Sequence, residues 1–176
     1  IIVGAIIAAL AGSSENVFSI SSMFGFIAII LAAIARSFLI AIISIVVFSF
    51  IVEMHINNIF YIIIFGFLSS FILGSLGFIA GLWAEKFDHT ATVTNFIITP
   101  LSFLSGVFYS IDKLPNIFQI ISHINPFFYM IDGFRFGFLG QSDGSIKLGL
   151  IYLISLSFIM WFIAYYLYKK GYKIKS

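Results

Sequence analysis

Residues 99–140 read TPLSFLSGVFYSIDKLPNIFQIISHINPFFYMIDGFRFGFLG. This stretch holds every proline of the chain (Pro100, Pro115 and Pro126), and Asp112, Lys113, Asp132 and Arg135 fall inside it. Long apolar runs lie on both sides. A proline-broken, partly charged segment between such runs is not built to cross a bilayer, because proline removes a helix hydrogen bond and charge opposes hydrocarbon. It must dip, fold back or line something.

The flanks explain why a bilayer is the relevant solvent. Hydrophobic residues make up 61% of the 176-residue chain and charged residues only 9%, against roughly 25% charged in soluble domains. Mean hydropathy is +1.16, so the chain is an integral membrane protein. The formal charge of +2 is too small to point to nucleic acid. Cysteine is absent, which excludes disulfides and thiolate metal sites.

Within the central stretch, Leu114, Ile117, Phe118 and Ile121 recur at helical spacing with Asn116, Gln119 and Ser122 opposite. That pattern predicts a short amphipathic helix with Pro115 in its first turn. Asn125 and Pro126 form an N-cap and N1 pair for a second helix, which Gly140 can end. Neither helix is long enough to cross about 30 Å of hydrocarbon, so 112–140 reads as a re-entrant helical hairpin. Asp132 and Arg135, three apart, read as a local ion pair. Phe127, Phe128, Tyr129, Phe134, Phe136 and Phe138 read as interface anchors.

Upstream, the apolar run 91–110 is a span kinked at Pro100. The run 58–83 is a clear span in which Gly66, Ser70, Gly74, Gly77 and Gly81 recur at steps of four, four, three and four, a seam for close helix packing. The run 25–52 is a third span holding Arg36, read as snorkelling to an interface. Ser13 to Ser22 reads as a short polar loop, with room for a small helix capped by Ser13 or Ser14. Residues 1–12 read as part of a span in a chain whose natural N-terminus is missing. Downstream, 148–168 is the last span, with Trp161, Tyr165, Tyr166 and Tyr168 at its end and Lys169, Lys170, Lys173 and Lys175 after it. The expected fold is all-α: one polytopic membrane helix bundle over 1–176, with an outward hairpin before the last span. The lysine-rich tail and the loop around Lys86 fall on one side, which the positive-inside rule makes cytoplasmic.

No chemistry of an enzyme is visible. His55, His89 and His123 are isolated, no carboxylates cluster, and no phosphate-binding glycine loop occurs. We expect no metal and no cofactor in this chain. An ion-coupled carrier would carry a charged coupling site near mid-membrane, and only Arg36 lies inside a span. A non-transporting anchor is the other alternative.

The run from Pro100 to Gly137, with Leu101, Gly106-Val107-Phe108-Tyr109, Leu114-Pro115, Asn125-Pro126, Tyr129 and Arg135, resembles the membrane subunits of ABC type-2 exporters. The preceding WAEKFD is similar to a cytoplasmic loop of those permeases. The resemblance implies a permease subunit that pairs with a second copy and with a separate ABC ATPase in the bacterial inner membrane. It would move a drug, lipid or polysaccharide outward. It further implies that Glu85, Lys86, Phe87, Asp88 and His89 form an ATPase-coupling loop, and that Ser13 to Ser22 takes the place of the main coupling helix. By the same token the hairpin residues Pro115, Asn125, Pro126, Tyr129, Asp132 and Arg135 would cap the translocation path.

Overall fold

The computed structural model describes residues 14–53, 56–84, 87–108 and 111–169. The partial span at 1–12, the residues Glu85 and Lys86, and the tail beyond Lys169 lie outside the described residues. Every regular element among those described is helical. The order is α1 (Ser14–Ser49), α2 (Ile59–Trp83), α3 (Phe87–Val93), a π-helical turn (Thr94–Ile98), α4 (Thr99–Phe103), a 3-10 turn (Ile111–Lys113), α5 (Asn116–Ile124), α6 (Pro126–Leu139) and α7 (Ile146–Lys169).

Among the described residues, three helices contain stretches long and apolar enough to cross a membrane: Ile27–Ser49, Ile59–Trp83 and Ile146–Leu167. Their surfaces are largely exposed Ile, Leu, Val and Phe, as a helix facing hydrocarbon requires. The protein is an all-α membrane helix bundle.

Two boundaries differ from the sequence reading. The polar residues from Ser14 to Ser22 do not form a loop, since α1 is helical from Ser14 onward. Isolated serines cost a helix only tenths of a kcal/mol, and Gly25 is the one glycine in α1, with no proline beside it. At about 1.5 Å per residue α1 is roughly 54 Å long, so its polar start extends past the hydrocarbon. The helix expected over 91–110 is displaced: it begins at Phe87 and stops at Phe103, followed by a turn through Gly106. Its apolar portion, Ala91–Phe103, is shorter than a span. Pro100 sits in the first turn of α4, and the hydrogen bond it cannot donate would have gone back into the π-helical turn that precedes it.

The core forms where short α6 wedges against α2 and α7. Phe65 and Ile72 of α2, Phe127 and Met130 of α6, and Leu153 of α7 are its buried centre, with Ile98 and Leu101 packed on it. A second cluster, Ile30 with Ala164, joins α1 to α7 beside Phe71 and Phe78. Phe127 and Phe128 are therefore core residues, 8% and 0% exposed, and not the interface anchors the sequence suggested. Their helix lies inside the bundle because glycine lets it in. A Cβ at Gly133 would collide with the Phe65 ring. One at Gly137 would stand 2.5 Å from Cγ1 of Ile62 and 3.1 Å from its backbone nitrogen.

The seam of α2 meets different neighbours along its length. Gly66 lies under Phe134 of α6 and Phe38 of α1, Ser70 is buried, and Gly74 faces Ala33 of α1. Gly77 and Gly81 have nothing within 4 Å. Gly137→Ala should destabilise the protein by about 1–3 kcal/mol through overpacking. Gly77→Ala should be neutral or stabilising, because it removes only a helix-entropy cost. Thermal unfolding in detergent checks the pair, and equal melting temperatures would contradict the packing described.

Candidate functional site

The end of α4 poses a problem that α5 and α6 solve. A helix that stops within a membrane protein leaves its last carbonyls without donors. Leu104 N–H bonds back to Pro100 O, and Ser105 donates its hydroxyl to Ser102 O. The carbonyls of Leu101, Leu104 and Gly106 receive side chains from the hairpin instead. Asn125 Nδ2 donates to Leu101 O at 2.6 Å, Ser122 Oγ to Leu104 O at 2.9 Å, and Arg135 Nη2 to Gly106 O at 2.6 Å. Gly106 has φ of 77°, a left-handed turn that glycine adopts without strain and that aims its carbonyl at Arg135.

Asn125 serves twice. Its Oδ1 accepts from Phe127 N–H at 3.0 Å, the N-cap of α6 expected from Asn125-Pro126, while its amide nitrogen holds Leu101 O. Pro115 sits at the N-cap position of α5, one residue before the first turn expected for it, and makes no side-chain cap. Gly140 closes α6 in the left-handed conformation, with its N–H on Phe136 O, and lies against the side chain of Asn57. Asn57 and Asn58 N–H groups donate to Phe138 O and Gly137 O, and Asn58 Oδ1 caps α2 at Phe60 N–H. The hairpin's end and the start of α2 are thus one hydrogen-bonded corner.

The charged residues are arranged differently from the local pairing expected. Asp132 does not take Arg135 as its hydrogen-bond partner. Its two oxygens accept from the backbone N–H groups of Asp143 and Gly144, at 2.8 and 3.1 Å, and the carboxyl is buried. Arg135 instead pairs with Asp143, Nη1 to Oδ2 at 2.7 Å, with both side chains mostly buried. Asp143 Oδ2 also accepts from Ile111 N–H at 3.4 Å. Arg135 therefore ties α6 to the loop before α7 and to the turn after α4. With one nitrogen on Asp143 and another on Gly106 O, it is committed internally and not presented to an outside anion.

Burial raises the Asp132 carboxyl above its ordinary range. The backbone N–H groups of Asp143 and Gly144 and the Arg135 charge pull it down, and Asp143 pushes it up. Burial also raises Tyr129, followed by Tyr152 and then Asp132. Tyr129 and Tyr152 rings meet at 5.0 Å, and Tyr152 donates its hydroxyl to Ile124 O at the hairpin's bend.

Helix α5 is inside out. Ser122 is buried and Gln119 is half-buried, its Nε2 on Leu114 O, whereas Ile117, Ile120 and Ile124 are 71%, 61% and 67% exposed. The amphipathic pattern expected is present, but Ser122 and Gln119 turn toward the protein, while the apolar side and Asn116 at the helix's start are exposed. That is the arrangement for a helix surrounded by lipid, where donors are scarce and go inward.

Of the charged loop, Glu85 and Lys86 lie outside the described residues. Phe87 opens α3, Asp88 is exposed, and His89 packs on Trp83 at 5.4 Å, drawing the loop's far end against the last turn of α2. An uncharged groove of about 600 Å³ runs between α1 and α2, lined by Phe38, Ile42, Ile62, Gly66 and Leu73 and closed on one side by Phe134. Among the described residues no cluster could hold a metal ion.

Several of these residues escaped the sequence reading: Ser122 as a donor, Asp143 as the partner of Arg135, Gly106 as its acceptor, and Gly133 and Gly137. The glycine pair had a signal, the i, i+4 spacing of small residues in an aromatic helix.

A bundle of apolar helices with a hydrogen-bonded hairpin of short helices defines a polytopic membrane protein. The family model described as ABC-2 type transporter matches residues 13–139, and the chain belongs to that family. It is 32% identical over 143 residues to the inner membrane transport permease YadH of Escherichia coli strain K12, covering 81% of this chain and 56% of that protein. It is 29% identical over 97 residues to nodulation protein J of Sinorhizobium fredii, and 35% over 74 residues to nodulation protein J of Rhizobium leguminosarum bv. viciae. Those matches cover 55% and 42% of this chain and 37% and 29% of the relatives. The chain thus spans about half the length, or less, of the relatives it matches. No solved structure matches it.

Two outcomes test the site. Asn125→Asp keeps the cap on Phe127 but loses the donor to Leu101 O, so it should cost about 1–3 kcal/mol, and Asn125→Ala should cost more. A smaller loss for the alanine variant in thermal unfolding would refute the dual role. The raised Asp132 pKa means its stabilising contribution is complete below the ordinary carboxylate range and is lost as pH rises through the raised value. Asp132→Asn should flatten that part of the stability–pH curve, and an unchanged slope would show that another group sets it.

Proposed function

We propose that this chain is the transmembrane permease of an ATP-driven exporter in the bacterial inner membrane. It moves an amphiphilic substrate (a drug, lipid or polysaccharide) outward and works with a separate ABC ATPase subunit and a second copy of itself. The observation that carries the reading is the hairpin α5–α6, which seals the interrupted helix α3–α4 through Asn125, Ser122 and Arg135 in a chain of the ABC-2 family. The description of YadH as an inner membrane transport permease supports the location and the activity. ATP hydrolysis resides in the partner.

In this reading the charged loop Glu85 to His89 meets the ATPase on the cytoplasmic side, where the C-terminal tail also lies, and the hairpin faces outward. The α2 seam from Gly66 to Gly81 admits close helix packing, and its open end at Gly77 and Gly81 is available to a further helix. Pro115, Asn125, Pro126, Tyr129, Asp132 and Arg135 hold the outer cap.

Affinity purification of the full-length protein from its native membrane should recover an ABC ATPase, and reversing Glu85 and Lys86 should abolish that recovery while leaving insertion intact. Purification without an ATPase would refute the permease reading. A cysteine at exposed Asn116 should react with an impermeant thiol reagent added outside the cell. Reaction only from the cytoplasmic side would invert the topology.

A further inference from the structure

Helices α1 and α2 touch at one level and part at another. At Gly74 an added Cβ would stand 3.1 Å from Cβ of Ala33, so the two backbones run close together there. At Gly66, about two turns nearer the hairpin, the nearest atoms to an added Cβ are ring carbons of Phe134 and Phe38, at 3.1 and 3.6 Å. The ends of long side chains, not backbone, meet α2 at that level. The space that opens between the helices is the groove of about 600 Å³, within the roughly 300–1,000 Å³ of pockets that take a whole ligand.

Its depth says what fits. On α2 the lining runs from Ile59 to Leu73, about 21 Å by helical rise. Leu73 lies just past the middle of the span Ile59–Trp83, and the contact of Ala33 with Gly74 closes the groove there. A crossing helix is about 10–12 Å wide and needs a seat through about 30 Å of hydrocarbon. This groove would hold such a helix for only part of its way. An extended acyl chain enters from one leaflet and ends near the middle of the bilayer, at the level where the groove ends.

The walls suit hydrocarbon. Ser37 donates its hydroxyl to Ala33 O at 2.9 Å and Ser69 to Phe65 O at 2.6 Å, so both protons are spent inside their own helices. Phe38, Ile42, Ile45, Ile62 and Leu73 offer no polar group. A buried water needs about two to four polar partners, and this lining is almost wholly aliphatic and aromatic. Because lipid is as apolar as leucine, burial alone holds nothing here. What holds a chain is close contact on three sides, from α1, α2 and Phe134.

We infer that the groove holds one acyl chain of a bilayer phospholipid, drawn from the leaflet on the hairpin's side, as a resident part of the structure. The site goes beyond the transport reading and does not depend on it. Phe134 forms the third wall, and Arg135 beside it holds Gly106 O and Asp143. The chain thereby backs the turn of α6 that grips the end of the interrupted helix.

The test maps the contacts of a phospholipid carrying a diazirine partway along one acyl chain. The full-length protein is reconstituted with it, taken into detergent, washed free of loosely held lipid and irradiated. Cross-links should persist on Ile42, Ile62 and Leu73 after washing and disappear from Leu148 and Ile151, which are exposed on α7. Ala41→Phe, which fills the groove from α1, should abolish the retained cross-links. Loss at all positions alike would reduce the lipid to ordinary bilayer contact and overturn the inference, as would retained label that survives Ala41→Phe. No label at Ile42 and Ile62 even before washing would mean that protein covers the groove, and a disulfide between copies through Ile42→Cys would identify a second copy as the cover. Release of the lipid by ATP, from protein purified together with an ATPase, would make it cargo in transit and overturn its residence.

Discussion

A backbone carbonyl stranded in hydrocarbon has no water to turn to, and that constraint organises this protein. Helix α4 ends at Phe103, short of a full crossing, so its last carbonyls need donors from elsewhere in the chain. The hairpin supplies an amide, a hydroxyl and a guanidinium, from Asn125, Ser122 and Arg135. Each of those donors is then fixed by a second contact or by burial. Asn125 is held as the cap of α6, Arg135 by Asp143, and Ser122 by its complete burial. The break in the helix and the fold of the hairpin are therefore one structural fact seen from two sides.

The same constraint explains why α5 turns Ser122 and Gln119 inward. In water an amphipathic helix hides isoleucine and exposes serine and glutamine. Here Ile117, Ile120 and Ile124 are outermost, and Ser122 is buried against Leu104 O. Burying Ile117 would gain nothing where the surroundings are lipid, while Ser122 finds its acceptor only within the protein. Polar contacts, more than apolar burial, set which way this helix faces.

What could be read directly was whatever depends on neighbours in sequence. The Asn125-Pro126 cap, the stop at Gly140 and the long apolar helices follow from rules spanning a few residues, and the structure contains each of them. Those rules misassign Arg135, because the nearest carboxylate along the helix is Asp132. The N–H groups of Asp143 and Gly144 claim that carboxylate and leave Arg135 to Asp143. From Ser14 to Ser22 the loop gave way to continuous helix for the opposite reason: polarity was read as a break, although isolated serines cost a helix only tenths of a kcal/mol. Ser122 to Leu104 and Asn125 to Leu101 join segments across an intervening turn, and no periodicity in the chain encodes such pairs.

Two surfaces of contrasting chemistry meet at the hairpin. Phe134 closes the uncharged groove between α1 and α2, and one residue later Arg135 grips the turn after α4. Because successive helical side chains diverge by about 100°, a single turn of α6 reaches both surfaces. Gly133 and Gly137 seat that turn on Phe65 and Ile62 with no room for a side chain, so α6 cannot slide along α2 without a clash. It can leave only by lifting away, and lifting would uncover the apolar groove and release the carbonyl of Gly106 in the same movement. One rigid element thereby both covers the apolar groove and holds the turn that ends the interrupted helix.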